Sequence, residues 1–430
     1  MKESTTNRTC TGKTPQGFSS GSSFSSSRAT SKKVGLRALD KWQELEGRDN
    51  VYTVDMDTSH TGEIYFTKKL TWEPSEANKL KCKVFGQSED LCHNFIKVLI
   101  RKNDDTLFIC GTDAFDPSCR NFKVNTLEMT GERISGKGRC PFDPKDSNVA
   151  LYAGGYLYSG TASDIHSSDS LIYRSLGPSP SLRTAKQDSK WLKDSKFIHV
   201  VDYGDYMYFF FREVAVEVHI EGELVVSRVA RVCKNDMGGT MAFLDKHWTS
   251  FLKAQLKCLI PSALNFHFDL LQGVTDVVQI QGRDVVFATF TTSEFSIPGS
   301  AVCAYDMLEI DKVFSGRFKR QLSYHSKWTP VPESEVPTPR PGSCAGTEPF
   351  AQYASSKDLP DNILEFMAKH HLMDGGILST GSHPWFLRTT VKCGYEGTHD
   401  KRIVSLRLDK PSGALYVAFR YCLIKVPLEK

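Results

Sequence analysis

One two-strand phrase recurs along this chain, and it restricts the fold more than any other feature. "DTLFICGT" from Asp105, "GYLYSGT" from Gly155, "DYMYFFF" from Asp205, "RDVVFAT" from Arg283 and "GALYVAF" from Gly413 share one pattern: a turn residue, a spacer, then an aliphatic and an aromatic or aliphatic pair. Leu107, Leu157, Met207, Val285 and Leu415 are equivalent, at separations of 50, 50, 78 and 130 residues. A second short strand follows most copies: "SLIYRSL" from Ser170, "AVEVHIE" from Ala215, "AVCAYDM" from Ala301 and "CLIKVPL" from Cys422. "NVYTVDM" from Asn50 matches that second strand with no first strand before it. A repeat of about 50 residues carrying several short strands is the mark of a β-propeller, whose blades are four-stranded sheets around a central channel. A β-sandwich also strings short strands between turns, but recurrence of one phrase at fixed spacing favours the propeller. The unbroken apolar run Tyr206 to Phe211 suits a strand buried on both faces. The last gap is more than two units long, so one blade's phrase is missing there.

Composition then excludes partners. With 40% hydrophobic, 11% aromatic and 24% charged residues, 430 residues can bury a large core. The 54 basic against 50 acidic residues net only +4, without a basic cluster interleaved with aromatics, so nucleic acid is not expected as a partner. No apolar run approaches the ~18 residues of a membrane span. Residues 1 to 46 read as a disordered leader: the first 33 are Ser/Thr/Gly-rich with almost no apolar groups, and they lack the apolar core of a secretory signal. Gly12-Lys13-Thr14 is no phosphate loop, because Asn7 stands where the first glycine belongs. Asn7-Arg8-Thr9 is a candidate N-glycosylation acceptor. The folded domain is expected over residues 47 to 430.

Twelve cysteines at irregular spacing, without a C-x-x-C pair, do not form a zinc framework. Cys82 and Cys92, and Cys110 and Cys119, lie close enough around turns for local bridges, each stabilising by up to roughly 3 kcal/mol on the loop-entropy model. A secreted chain is expected in preference to a cytosolic one with buried thiols. "FLDKHWTSFLKAQLKCLI" places Leu244, Trp248, Phe251, Leu252 and Leu256 at helical intervals and predicts an amphipathic helix. A second helix is predicted in "DLPDNILEFMAKHHLMD", with Asp358 and Pro360 as start signals. G-x-S-x-G, H-E-x-x-H and dinucleotide-loop patterns are missing, so neither an enzyme nor a bound cofactor or metal is expected. Arg317 to Arg320 would suit a basic-residue protease, but it lies in a run read as helical after "DMLEIDKVF".

The segments "KCKVFGQSEDLCHNFIKVLIRKNDDTLFICGTDAFDPSCRNF", "GRCPFDP", "DSKWL", "VDYGDYMYFFFREVAVE", "RVARVCKNDMGG", "WTSFLKAQLKC", "SIPGSAVCAYDM", "GRFK", "WTPVPESEVPTPRPGSC" and "LYVAFRYCLIKVPL" together resemble the sema domain of the semaphorins, with wording most similar to class 6, the transmembrane group. The resemblance runs from about Gly47 to Pro427. It implies an all-β, seven-bladed propeller with a helical extrusion. It also implies an extracellular or cell-surface ligand, membrane-anchored in the full-length relative, that binds a plexin of the A group in axon guidance and cell migration. A receptor-side propeller and a truncated form without function are the alternatives. The family pattern implies the pairs Cys82–Cys92, Cys110–Cys119, Cys233–Cys344, Cys258–Cys303 and Cys393–Cys422, leaving over Cys10 and Cys140. Ile297 in "SIPGS" corresponds to a homodimer contact. Lys369, followed by His370 and His371, resembles part of the plexin-facing surface, and Gln187 stands where similar class 6 sequences have histidine.

Two departures accompany the resemblance. The sequence before "GRDNVYTVDMD" does not match the family's opening strands, and "HPWFLRTT" passes almost directly into "VKCGYEG", a deletion near 388–392 that removes most of the sixth blade. The expectation is therefore an incomplete propeller of about six blades, which either re-closes at a tighter radius or, as blade packing angles set for a larger ring favour, stays open at the break.

Overall fold

The computed structural model describes residues 42–46, 48–55, 66–218, 222–260, 266–293, 296, 299–323, 326–379, 403–409, 414–419 and 422–427. Its strands fall into six sheets. The first holds β1 (Trp42–Glu46), β2 (Asn50–Asp55) and β3 (Phe66–Thr71). After α1 (Glu76–Val84) comes the second, with β4 (Ile96–Arg101), β5 (Thr106–Gly111), β6 (Ser118–Lys123) and β7 (Met129–Ser135). The third contains β8 (Val149–Ala153), β9 (Tyr156–Ala162), β10 (Ser170–Ser175) and β11 (Leu182–Arg183). The fourth contains β12 (Lys196–Tyr203), β13 (Tyr206–Val214), β14 (Val225–Cys233) and β15 (Leu252–Ile260), with β16 (Phe266–Phe268) added to β15. The fifth is built on β17 (Leu270–Val274), β18 (Val278–Ile280), β19 (Arg283–Thr291) and β20 (Ser300–Asp306).

An extrusion follows β20. It comprises α2 (Met307–Phe314), β21 (Phe318–Gln321), β22 (Trp328–Pro330), α3 (Asp361–Lys369) and β23 (Leu372–Leu378). The sixth sheet is β24 (Ile403–Asp409), β25 (Ala414–Phe419) and β26 (Cys422–Pro427).

Each repeated phrase is an inner strand of its sheet, paired antiparallel on both sides, as Met207 is with Asp202 and Val232. The sheets meet through their first strands in the succession β1, β4, β8, β12, β17 and β24; among the described residues no contact of the same extent joins β24 to β1. Among the described residues this is an all-β propeller of six sheets, each a blade. The core lies between blades. Met207, Phe209 and Phe211 face Tyr158, Ile172 and Trp191 of the third blade's side, while Tyr208 and Phe210 face Val286, Phe290 and Tyr305 of the fifth. Period-two alternation of large side chains on a strand buried on both faces produces both packings. Close approach also dictates residue choice: a Cβ at Gly160 would come within 2.6 Å of the Phe197 ring on the neighbouring blade.

Four expectations change. Trp42–Glu46, assigned to the leader, is a strand pairing with β2 from Trp42↔Asp55 to Glu46↔Val51, so "NVYTVDM" does have a strand before it. Ala215 does not begin a strand; Ala215 to Val218 turn, with the Val218 N–H donating to the Ala215 carbonyl, and the strand comes later as Val225–Cys233. The helix predicted through Leu244 to Leu256 is instead a loop leading into β15. Trp248 and Phe251 are buried toward the third blade and Leu252, Ala254 and Leu256 toward the fifth, so spacing that mimicked one helical face serves two cores. Arg317 to Arg320 is not helical, because α2 ends at Phe314 and Phe318–Gln321 lies as a strand between β23 and β22.

The second predicted helix is present as α3, preceded by a capping box between Ser355 and Asp358, with Pro360 at its N-cap and Ile363, Leu364, Phe366 and Met367 buried. The extrusion joins the fourth blade rather than the fifth that it follows in sequence: β23 runs parallel to β15, pairing Lys253 with Leu372 and Lys257 with Leu378. Arg231 of β14 reinforces the union by pairing with Asp311 of α2 while its guanidinium lies 4.2 Å from the Tyr206 ring and 4.7 Å from the Phe314 ring. Bridges Cys82–Cys92, Cys110–Cys119, Cys233–Cys344 and Cys258–Cys303 are formed, and Cys140 is a buried thiol beside the second of them. Among the described residues no helix is long and apolar enough to cross a membrane.

Candidate interaction face on the fourth blade

The geometry of α3 follows from its ends. Asp361 lies in the first turn and Lys369 in the last, each favourable to the helix dipole. Lys369 is exposed, and its Nζ donates to Glu365 Oε1 at 2.6 Å across one turn. The chain leaves the helix at His370, whose ring stacks on Phe366 with centroids 4.1 Å apart, and His371 then enters the interior ahead of β23.

Gln187 sits in the loop joining β11 to β12. Its backbone has φ of 53°, in the left-handed region, and its N–H donates to Asp169 Oδ1 at 3.3 Å. Buried Asp169 also accepts Arg183 Nη2 on both oxygens, at 2.9 and 2.7 Å, so the loop starts from a charge-fixed point. Asp188 organises the next turn: Oδ1 accepts the Lys190 N–H at 2.9 Å and its carbonyl accepts the Trp191 N–H at 3.0 Å. That turn drives Trp191 into the core while leaving Lys186, Gln187 and Lys190 exposed.

Trp191 is the junction. Its ring stacks on Phe251 at 5.1 Å and meets the His371 ring at 3.9 Å. The loop that carries Gln187 and the segment that carries Lys369, 182 residues apart, therefore meet through Trp191 and His371. Electrostatics agrees with the packing. Burial holds His370 below the usual histidine range, and the charges of Arg320, Lys369 and Lys190, from three separate elements, push it further down. Burial holds His371 at about 3, with the Lys253 charge adding to the effect. The face consequently presents exposed lysines and an amide while both histidines stay neutral near pH 7. Arg320 is tied to Glu335 and Lys369 to Glu365, whereas Lys190 has no ion pair among the described residues. Such a rim suits an acidic protein surface. Among the described residues, no group of His, Cys, Asp and Glu could hold a metal ion.

Sequence reasoning overlooked Asp236 in "CKNDMGG". This buried carboxylate fixes the β14–β15 loop through the N–H groups of Gly238, Thr249 and Ser250 and the hydroxyls of Thr249, Ser250 and Ser356. An aspartate three residues past a strand end is an ordinary turn signal, so only its partners distinguish it. Ile297, Asn7 and Cys393 of the expected fifth pair lie outside the described residues, as does the junction near 388–392.

Residues 271–419 match the family model described as "Sema domain". Semaphorin-6A of Mus musculus is 52% identical over 443 aligned positions, covering 89% of this chain and 43% of that protein, so the chain spans less than half of that relative's length. Drosophila Semaphorin 1a, extracellular domains 1-2, is similar in structure at a TM-score of 0.76 and 30% identity, covering 92% of this chain and 86% of that one. A chain in the structure of Drosophila Plexin A in complex with Semaphorin 1b gives a TM-score of 0.76 at 28% identity, covering 92% and 86%. The repeated blades, the extrusion docked on the fourth of them, and these likenesses agree on one conclusion: the chain belongs to the semaphorin family, and its folded part is a sema domain.

Proposed function

We propose that this chain is an extracellular or cell-surface signalling ligand that binds a plexin receptor of the A group, guiding axons and migrating cells, and that it acts by recognition rather than catalysis. The observation that carries the reading is the union of the Gln187 loop and the end of α3 through Trp191 and His371. A rigid base carrying exposed Lys186, Gln187, Lys190 and Lys369 presents directional polar groups without a large ordering cost on binding. Drosophila Semaphorin 1b, a relative in fold and sequence, forms a complex with Plexin A. Pairing of two copies through the segment around Ile297 belongs to the same reading. The test is binding of the purified chain to plexin A ectodomains on a sensor surface. Lys369→Asp should weaken binding about tenfold, corresponding to roughly 1.4 kcal/mol of a rim contact. Equal binding by parent and variant refutes the assignment of this face.

A further inference from the structure

Beneath the exposed face lies a buried ionic cluster that the recognition reading leaves unused. Glu213 of β13 is 1% exposed. Its Oε1 accepts Lys253 Nζ at 2.6 Å and Arg228 Nε at 3.0 Å, and Arg228 Nη2 continues to Glu217 Oε1 at 2.5 Å. Two carboxylates and two cations make the cluster formally neutral. A blade needs no such group for stability, since apolar residues of like volume often serve a buried site as well.

The second oxygen of Glu213 gives the cluster a direction. Oε2 accepts the backbone N–H of Lys193 at 3.3 Å, in the loop that carries Gln187, Lys190 and Trp191. The Lys193 carbonyl accepts the Val214 N–H at 3.1 Å, so the loop is held to β13 at both of its polar groups there. On the other side, the backbone N–H of Lys253 donates to the His371 carbonyl at 2.7 Å, two residues beyond Lys369. A continuous hydrogen-bonded path thus runs from the half-buried Lys193 through Glu213 and Lys253 to His371, alongside the ring contact between Trp191 and His371. We infer that Glu213 is a positioning residue for receptor recognition, fixing the Gln187 loop relative to the Lys369 end of α3 from inside the blade.

This inference rests on the recognition face proposed above. Its test compares three variants of the full chain: Glu213→Met/Lys253→Met, which removes the linkage but leaves no lone buried charge; Glu213→Gln, which keeps the shape but leaves one buried cation uncompensated; and Lys369→Asp. Receptor affinity and amide hydrogen exchange are measured together, the second because general loss of fold would spread over all blades. For the double variant the expected result is at least tenfold faster exchange confined to residues 189–193 and 369–373, with about tenfold weaker plexin binding; Glu213→Gln, which strands a buried cation, should shift both the same way by at least as much. Unchanged affinity in both Glu213 variants, with Lys369→Asp weakened, overturns the positioning role and leaves the face standing. Unchanged affinity in Lys369→Asp overturns the face itself, and the inference with it.

Discussion

Replacing Asp236 with asparagine should destabilise this domain more than its near-identical shape suggests. Oδ2 accepts the N–H groups of Thr249 and Ser250 at 2.9 and 3.1 Å and the Ser250 hydroxyl at 2.7 Å. Oδ1 accepts the Gly238 N–H at 2.9 Å, with the Thr249 and Ser356 hydroxyls at 3.0 and 3.2 Å. Hydroxyls can turn to accept from an amide, but backbone N–H groups cannot. The least costly placement of the new NH2 is at Oδ1, where it strands only the Gly238 donor, at about 1 to 3 kcal/mol. The remaining bonds lose the acceptor's charge, and with it about 1 kcal/mol or more in all. The sum is about 3 kcal/mol for Asp236→Asn, and about 5 kcal/mol for Asp236→Ala, which strands three backbone donors. Urea unfolding followed by tryptophan fluorescence measures this, since Trp248 lies next to Thr249 and is fully buried. A loss below about 1 kcal/mol for Asp236→Asn would refute the reasoning.

Acid should weaken the fold through His371. Its folded value of about 3 lies below the unfolded 6.5, so the unfolded chain binds a proton that the fold refuses; stability is full above pH 6.5 and is lost as pH falls towards 3, by about 2 kcal/mol at pH 5. His371→Phe should flatten the slope of stability between pH 6 and 4. Removing Cys233–Cys344, 111 residues apart, should cost about 4 to 5 kcal/mol, against up to ~3 for Cys82–Cys92, 10 apart; equal midpoints in urea for the two deletions would contradict the loop-closure account. Peptide mapping without reduction should recover the bridged fragments, with Cys140 alkylated only after unfolding, as its full burial requires. Ile297→Glu should shift a dimeric preparation toward monomer in sedimentation, because one substitution acts twice at a symmetric contact.

The repeated phrase was legible because its cause is local: β5, β9, β13 and β19 are buried on both faces, so Leu107, Leu157, Met207 and Val285 recur with apolar neighbours whatever lies around them. The run from Leu244 to Leu256 misled because periodicity records which residues are buried and not in how many directions. The recognition face was half legible. Lys369 at the end of a well-capped helix could be read from its own segment, but nothing near Trp191 announces His371, and their contact depends on an extrusion that folds back on an earlier blade. Glu213 and Lys253 were illegible for the same reason, each being a charge inside a strand pattern that predicts burial, with the partner on another strand.

The docking of β23 on β15 also sets an order of events during synthesis. The fourth blade's own strands are complete at Ile260, yet the strand that covers its outer edge ends at Leu378. At roughly 5–20 residues per second, that edge waits on the order of ten seconds on the ribosome for its partner, with its backbone donors and acceptors open to any other strand. The chain therefore cannot mature blade by blade. Its most vulnerable interval runs from the synthesis of Ile260 to that of Leu378, and a chaperone that shields sheet edges would matter most there.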